Sequence, residues 1–264
     1  MERAGWIEAN WPAAAGIRAG VSTRALPGRS AGPYAQGNLG VHVGDDPAAV
    51  AHNRELLRAM LNLPGEPIWL EQVHGTTVLS VVDATTQPGS FAADASVTRC
   101  PGVVLAVQTA DCLPILLANR SGTEIAAIHA GWRGLAAGVV EETLAQMTSR
   151  AHELRAWIGP AIGPDAFEVG DDVREAMVSG HVRETAEAIE RCFRPQLSKN
   201  QPVHGKWLCD LARIALLRLR ALGVDTVVPS GLCSYTDQEH FFSHRRDRVS
   251  GRMVSLIWMS DSHP

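Results

Sequence analysis

The chain has only two lysines, Lys199 and Lys206, and its other basic side chains are arginine. We read that bias as genome composition. Runs of like charge are also missing, and the formal net charge is −4. Such a surface does not suit a polyanion, so no nucleic-acid partner is expected. No apolar run reaches the ~18 to 20 residues of a membrane span, so no membrane partner is expected either. No basic-then-apolar leader opens the chain: MERAGWIEANWPAAAG has an acid at position 2 and a proline in its middle. The expected location is cytoplasmic.

Cysteine pairs are absent as well. Cys100, Cys112, Cys192, Cys209 and Cys233 are odd in number, scattered and never spaced C-x2-C. That excludes a structural zinc ribbon and fits free thiols in a reducing compartment. Ten histidines include no His-x-His pair. Repeats and low-complexity tracts are missing too.

What is present reads as one globular domain. Apolar residues make up 45% and charged residues 20%, the balance of a protein with a sizeable core. Asp45-Asp46-Pro47 is a helix start, with Asp at the cap and Pro in the first turn, opening AAVAHNRELLRAML. PIWLEQVHG and TTVLSVVD are rich in β-formers and predict a hairpin. GVVLAVQT, CLPILLAN and TEIAAIH predict three short strands, and GLAAGVVEETLAQM has helical spacing. RAWIGP and VDTVVPSG predict strands, residues 171–194 two helical pieces, and WLCDLARIALLRLRALG a helix closed by Gly223. HFFSHRRDRVSGRMVSLIWM predicts two strands around a glycine turn. The expected fold class is α/β, a single-domain mixed sheet with packed helices, spanning 1–264.

Three residues stand where strands end: His74, Cys112 and His129. Strand ends in α/β folds line clefts. Two imidazoles and a thiolate make a three-ligand zinc set with one position open. The same atoms also suit a Cys112 nucleophile with His129 as its base. Spacing does not separate the two, and an isolated cysteine in an apolar run can be inert packing. Asp111, beside Cys112, is a candidate to orient a ligand histidine or to bind substrate. HAGWRG runs from a strand into a helix start, where free N–H groups and Arg133 suit phosphate or a carboxylate. In FFSHRRD, Phe241 and Ser243 share one face of the expected strand and Phe242 and His244 the other, so a flat base could stack beside Arg245. Residues 26–40 are dense in Gly, Pro, Ser and Asn, a linker or a long ordered loop carrying function, and GVSTR and GPYAQGNLG could bring Arg24 and Asn38 to the same cleft.

EQVHG, ADCLPILL, HAGWRGLAAGV, IGPAIGPDAFEVG and FFSHRRD-x-x-SGRM together resemble the YfiH-like family, also called the multicopper polyphenol oxidase or laccase-domain family. It includes bacterial proteins named peptidoglycan editing factor. The resemblance runs from GVSTR near residue 20 to IWM near 258. It implies a single-domain fold related to the cytotoxic necrotizing factor catalytic domain, and a zinc ion held by His74, Cys112 and His129. It also implies phosphorolysis of adenosine, inosine, guanosine and methylthioadenosine, with nucleoside and phosphate as small-molecule partners, and deamination of adenosine. The family's other labels imply copper-dependent phenol oxidation or hydrolysis of misbuilt peptidoglycan precursors; a metal-binding interaction protein with a degenerate site is the non-enzyme alternative. Laccase chemistry needs several coppers held by many histidines, which ten histidines without a His-x-His pair do not suit. PGRSAGPY and SHRRD depart slightly from the family pattern, outside the three ligands.

Overall fold

The computed structural model describes residues 4–83 and 91–260. In chain order its strands are β1 (Trp6–Glu8), β2 (Ile17–Ser22), β3 (Pro67–Ile68), β4 (Leu70–Glu71), β5 (Val78–Val81), β6 (Phe91–Ala92), β7 (Ala95–Thr98) and β8 (Val104–Thr109). They continue with β9 (Leu113–Asn119), β10 (Ile125–Ala130), β11 (Leu154–Ile158), β12 (Glu168–Gly170), β13 (Phe193–Ser198), β14 (Gln201–Cys209), β15 (Thr226–Pro229) and β16 (Met253–Met259). The helices are α1 (Pro47–Leu61), α2 (Trp132–Ala137), α3 (Val139–Gln146), α4 (Asp171–Val178), α5 (Arg183–Glu190), α6 (Leu211–Ala221) and α7 (His244–Asp247). The α/β class is as expected, but the strands form several sheets rather than one. A five-stranded sheet runs β1-β2-β16-β8-β3 and a six-stranded sheet β15-β11-β9-β10-β7-β5; β12-β14-β13 and β4-β6 are smaller.

The two large sheets lie face to face, with helices on both outer sides. Alternation along the strands shows it. On β8, Leu105 and Val107 join Leu116, Ala127 and Trp157 in the layer between the sheets. Val104 and Ala106 point the other way, onto Leu57 and Leu61 of α1. On β9 and β10, Ile115, Leu117, Ala126 and Ile128 face a third layer with Leu135, Val140, Ile214 and Leu219 of α2, α3 and α6. Strands covered on both faces need apolar residues at every position, which is why ADCLPILL has no polar alternation after Cys112. Each fully buried leucine or isoleucine there contributes about 1.5–3 kcal/mol.

Local signals set several boundaries. The Asp46 side chain accepts from Ala48 N at 3.0 Å and Pro47 opens α1, which ends at Asn62 in the left-handed region, φ +50°. Gly223, φ +91°, follows the end of α6.

Four expectations fail. β5 does not pair back on the segment before it; it runs parallel to β7. The helix expected over 135–147 is broken by Gly138, φ +102°, into α2 and α3. Trp207–Cys209 ends strand β14, and the helix begins at Leu211 behind the Asp210 cap. Residues 240–248 are not a strand: Ser243 Oγ accepts from Arg246 N at 3.2 Å and caps the short α7.

Among the described residues no helix is long and apolar enough to cross a membrane.

Candidate metal centre

The chain crosses between the large sheets at the β8–β9 connection, and Cys112 sits on that crossing. His129 lies near the end of the neighbouring β10, and His74 on the turn between β4 and β5. Their ligand atoms all lie within 4.8 Å of one another. Cys112 Sγ is 3.7 Å from His74 Nε2. The rings of His74 and His129 meet edge to face, with centroids 4.8 Å apart and planes at 81°. The structure therefore brings together the three residues singled out in the sequence. His129 is buried, Cys112 half-buried and His74 exposed, so the group opens to solvent on the His74 side.

Asp94, which the sequence reading missed, organises this group. Its buried carboxylate accepts the backbone N–H groups of Val73 at 3.2 Å, His74 at 2.9 Å and Gly75 at 2.7 Å. The same carboxylate is 2.8 Å from Nδ1 of His129, and the Asp94 carbonyl accepts from His129 N at 2.7 Å. Three convergent N–H groups form an anion nest and hold His74 at φ +60°, a conformation that costs a non-glycine residue about 1 kcal/mol. With Nδ1 of His129 engaged, Nε2 is its remaining ligand atom. The only sequence signal was an acid among alanines at the start of a strand, FAADASV.

The electrostatics favour a Cys112 thiolate paired with a protonated His129, whose proton a bound metal ion would displace. Burial opposes a thiolate at Cys112. The charge of His129 and hydrogen bonds from His129 and His74 outweigh it and bring the thiol down to about 6. Burial likewise opposes charge on His129, but the Cys112 thiolate and Asp94 raise its pKa to about 9. Burial disfavours the charged form of Asp94, yet His129 and the nest N–H groups hold it below the ordinary carboxylate range. Two imidazoles and a ready thiolate fit a metal ion.

HAGWRG lies against the group. A Cβ at Gly131 would stand 2.8 Å from His74 Cδ2 and 3.1 Å from Cys112 Sγ, and one at Gly134 2.8 Å from the Gly75 carbonyl oxygen. Both glycines are needed for this approach. Arg133 is exposed, with its guanidinium 4.4 Å from the ring of Trp132.

The other expected site residues are placed differently. Asp111 orients no histidine; Asp94 does that. Asp111, at φ +92°, accepts from Ser234 Oγ at 2.7 Å and from Arg245 N at 2.6 Å, anchoring the Cys112 loop. Arg245 donates from Nη1 to the Glu168 carbonyl at 3.0 Å. Phe241 and Phe242 are fully buried in the layer between the sheets, so neither offers a face to a purine. Arg24 donates to the carbonyls of Gln238 and Ala35, and its guanidinium lies 5.0 Å from the ring of Phe242. Asn38 is buried, and its side chain is spent on Gly40, Asp45 and Arg252 N. These bonds tie the loop around residues 24–40 to the 238–252 segment.

Residues 18–260 match the family described as multi-copper polyphenol oxidoreductase laccase. An Escherichia coli protein named purine nucleoside phosphorylase YfiH is 48% identical over 255 residues, covering 96% of this chain and 98% of that protein. A Pseudomonas aeruginosa protein with a purine nucleoside phosphorylase name is 45% identical, covering 97% of this chain and 99% of that one. Among solved structures, a Neisseria meningitidis protein superposes with a TM-score of 0.86 at 43% identity, covering 97% of this chain and 99% of that one. YlmD from Geobacillus stearothermophilus superposes at 0.84 with 32% identity, covering 99% and 98%.

Proposed function

This chain belongs to the multi-copper polyphenol oxidoreductase laccase family, and from that premise we propose that it is a zinc-dependent purine nucleoside phosphorylase. The observation that carries the reading is the convergence of His74, Cys112 and His129, with His129 Nδ1 taken by Asp94. The relatives' phosphorylase names support the reaction class. Adenosine, inosine, guanosine and methylthioadenosine are the substrates in this reading. Residues 1–264 act as one domain, since the centre draws on both large sheets.

Among the described residues this is the only group of three or more such ligands. A multi-copper oxidase needs several copper sites, so the laccase label fits poorly. A Cys112–His129 nucleophile pair would leave His74 no role, although its Nε2 lies 3.7 Å from the sulfur. That favours a metal over a thiol hydrolase.

In phosphorolysis a phosphate oxygen bonds to the anomeric carbon of the ribose, the bond from that carbon to the purine nitrogen breaks, and the base leaves with a proton. A bound zinc ion supplies a Lewis acid that stabilises developing negative charge. Asp94 keeps His129 in one tautomer and aligns His74. Asp111 holds the Cys112 loop. Gly131 brings the start of α2 beside the ligands.

Cys112→Ala tests the reading. The variant should melt within a few degrees of the parent, lose its zinc by elemental analysis and show no phosphorolysis. Full activity with normal zinc content would overturn it. Deamination of adenosine is a second outcome of the same assay, seen as inosine formed without phosphate. A protein inert to nucleosides would move the reading to hydrolysis of cell-wall precursors.

A further inference from the structure

Basic side chains, Arg252, Arg54 and His42, gather on the α1 side of the centre. β16 begins at Met253 opposite Thr109. Arg252 therefore lies across from Ala110, just before Asp111 and Cys112. Val104, Ala106, Val254, Leu256 and Trp258 face α1, and strand alternation puts Arg252 and Gln108 on that same face.

Two loops fix Arg252. Asn38 Oδ1 accepts its backbone N–H at 2.8 Å, and Leu39 N donates to its carbonyl at 3.2 Å. Gly40 leaves room for its stem, since a Cβ there would stand 2.7 Å from Arg252 Cγ. Nη1 donates to the carbonyls of Ser250 at 2.9 Å and Gly251 at 3.0 Å. Nε and Nη2 make no hydrogen bond among the described residues. That edge of the guanidinium is the fork that grips two oxygens of one anion.

Charged groups of both signs act on Arg252 and its neighbour His42. Burial lowers the Arg252 pKa, against the opposing charges of Cys112, Asp111 and Tyr34, which places its charge in the field of the ligand thiolate. Burial also lowers His42, and Arg252, Arg54 and His129 add to that. Arg252 and Arg54, both half-buried, have no ion-pair partner among the described residues. Half-buried cations without a counterion are costly. Arg54 is already committed, with Nε and Nη2 on the Leu39 carbonyl and its guanidinium 3.5 Å from the Trp69 ring. Next to Arg252, Gln108 is 6% exposed and its Oε1 has no partner among the described residues.

We propose that Arg252 is the phosphate-binding residue of the centre, its Nε and Nη2 taking two oxygens of inorganic phosphate beside Cys112, with His42 as a further donor. The inference rests on the phosphorylase reading above and names the seat of the co-substrate. It prefers Arg252 over the exposed Arg133.

The test uses zinc-loaded protein and inorganic phosphate. Arg252→Gln should raise the phosphate KM about tenfold or more while the nucleoside KM stays within twofold, and Arg252→Lys should recover part of the loss. Arg133→Gln should change the phosphate KM less than twofold. Calorimetric titration of phosphate into zinc-loaded protein supplies a reading without turnover: the parent binds, and Arg252→Gln binds about tenfold more weakly. Unchanged phosphate affinity in Arg252→Gln, or a loss in Arg133→Gln alone, would overturn the inference. A parent that binds phosphate through Arg252 but forms no ribose 1-phosphate would sink the phosphorylase reading and keep the anion seat.

Discussion

Oδ1 of Asp94 lies 2.8 Å from Nδ1 of His129 and accepts the backbone N–H of His74 at 2.9 Å. One carboxylate thus sets the tautomer of one imidazole and the backbone that carries the other. Asp94→Asn keeps the shape but turns one acceptor into a donor. Zinc affinity should fall about 10- to 100-fold, as for other carboxylates that orient ligand histidines. Competition with a zinc-binding dye checks it, and unchanged affinity would remove Asp94 from the centre.

The Cys112 thiol, at about 6 against an ordinary value of 9.0, should be ionised at neutral pH in zinc-stripped protein. Its alkylation rate should be flat from pH 7 to 9 and fall below about 6. A rate still rising through pH 8 would contradict the low value.

The same shifts set a stability window. Cys112 is lowered on folding, so its stabilisation is complete above its unfolded value and lost as pH falls through about 6. His129 is raised, so its stabilisation is complete below 6.5 and lost as pH rises through about 9. In zinc-stripped protein the excess urea resistance over Cys112→Ser should peak between about pH 6 and 9. A difference independent of pH would show that the two charges do not form a pair.

Gly131→Ala would push a methyl group against the His74 ring and the Cys112 sulfur. We expect a large loss of zinc affinity with a small loss of melting temperature. Crystallography of the variant should show the His74 ring displaced.

Phe241 is fully buried. Phe241→Leu should cost about 1–2 kcal/mol of stability as an underpacked core position and leave the nucleoside KM unchanged. A raised nucleoside KM with unchanged stability would restore the stacking role expected from FFSHRRD.

Legibility in the sequence tracks how local each signal is. Asp46-Pro47 announces α1, and the apolar runs of β8, β9 and β10 announce doubly covered strands, because cap chemistry and burial are written within a few residues. His74, Cys112 and His129 were legible as strand-end residues, and their convergence was read through family resemblance. Pairing partners were not legible: β5 has the composition of a hairpin arm yet joins β7 beyond the intervening segment. FFSH has a strand's apolar content, but Ser243 caps a helix turn and both phenylalanines turn inward. Asp94 and Arg252 were missed because their roles exist only in three dimensions. One gathers N–H groups from another turn, and the other is aimed by Asn38, far away in the chain.

The most direct test of the account is mass spectrometry of products from zinc-loaded protein given adenosine, with and without inorganic phosphate. The account predicts adenine and ribose 1-phosphate only where phosphate is present, and neither from Cys112→Ala. Adenosine left intact with phosphate present, by protein shown to carry its zinc, would contradict it.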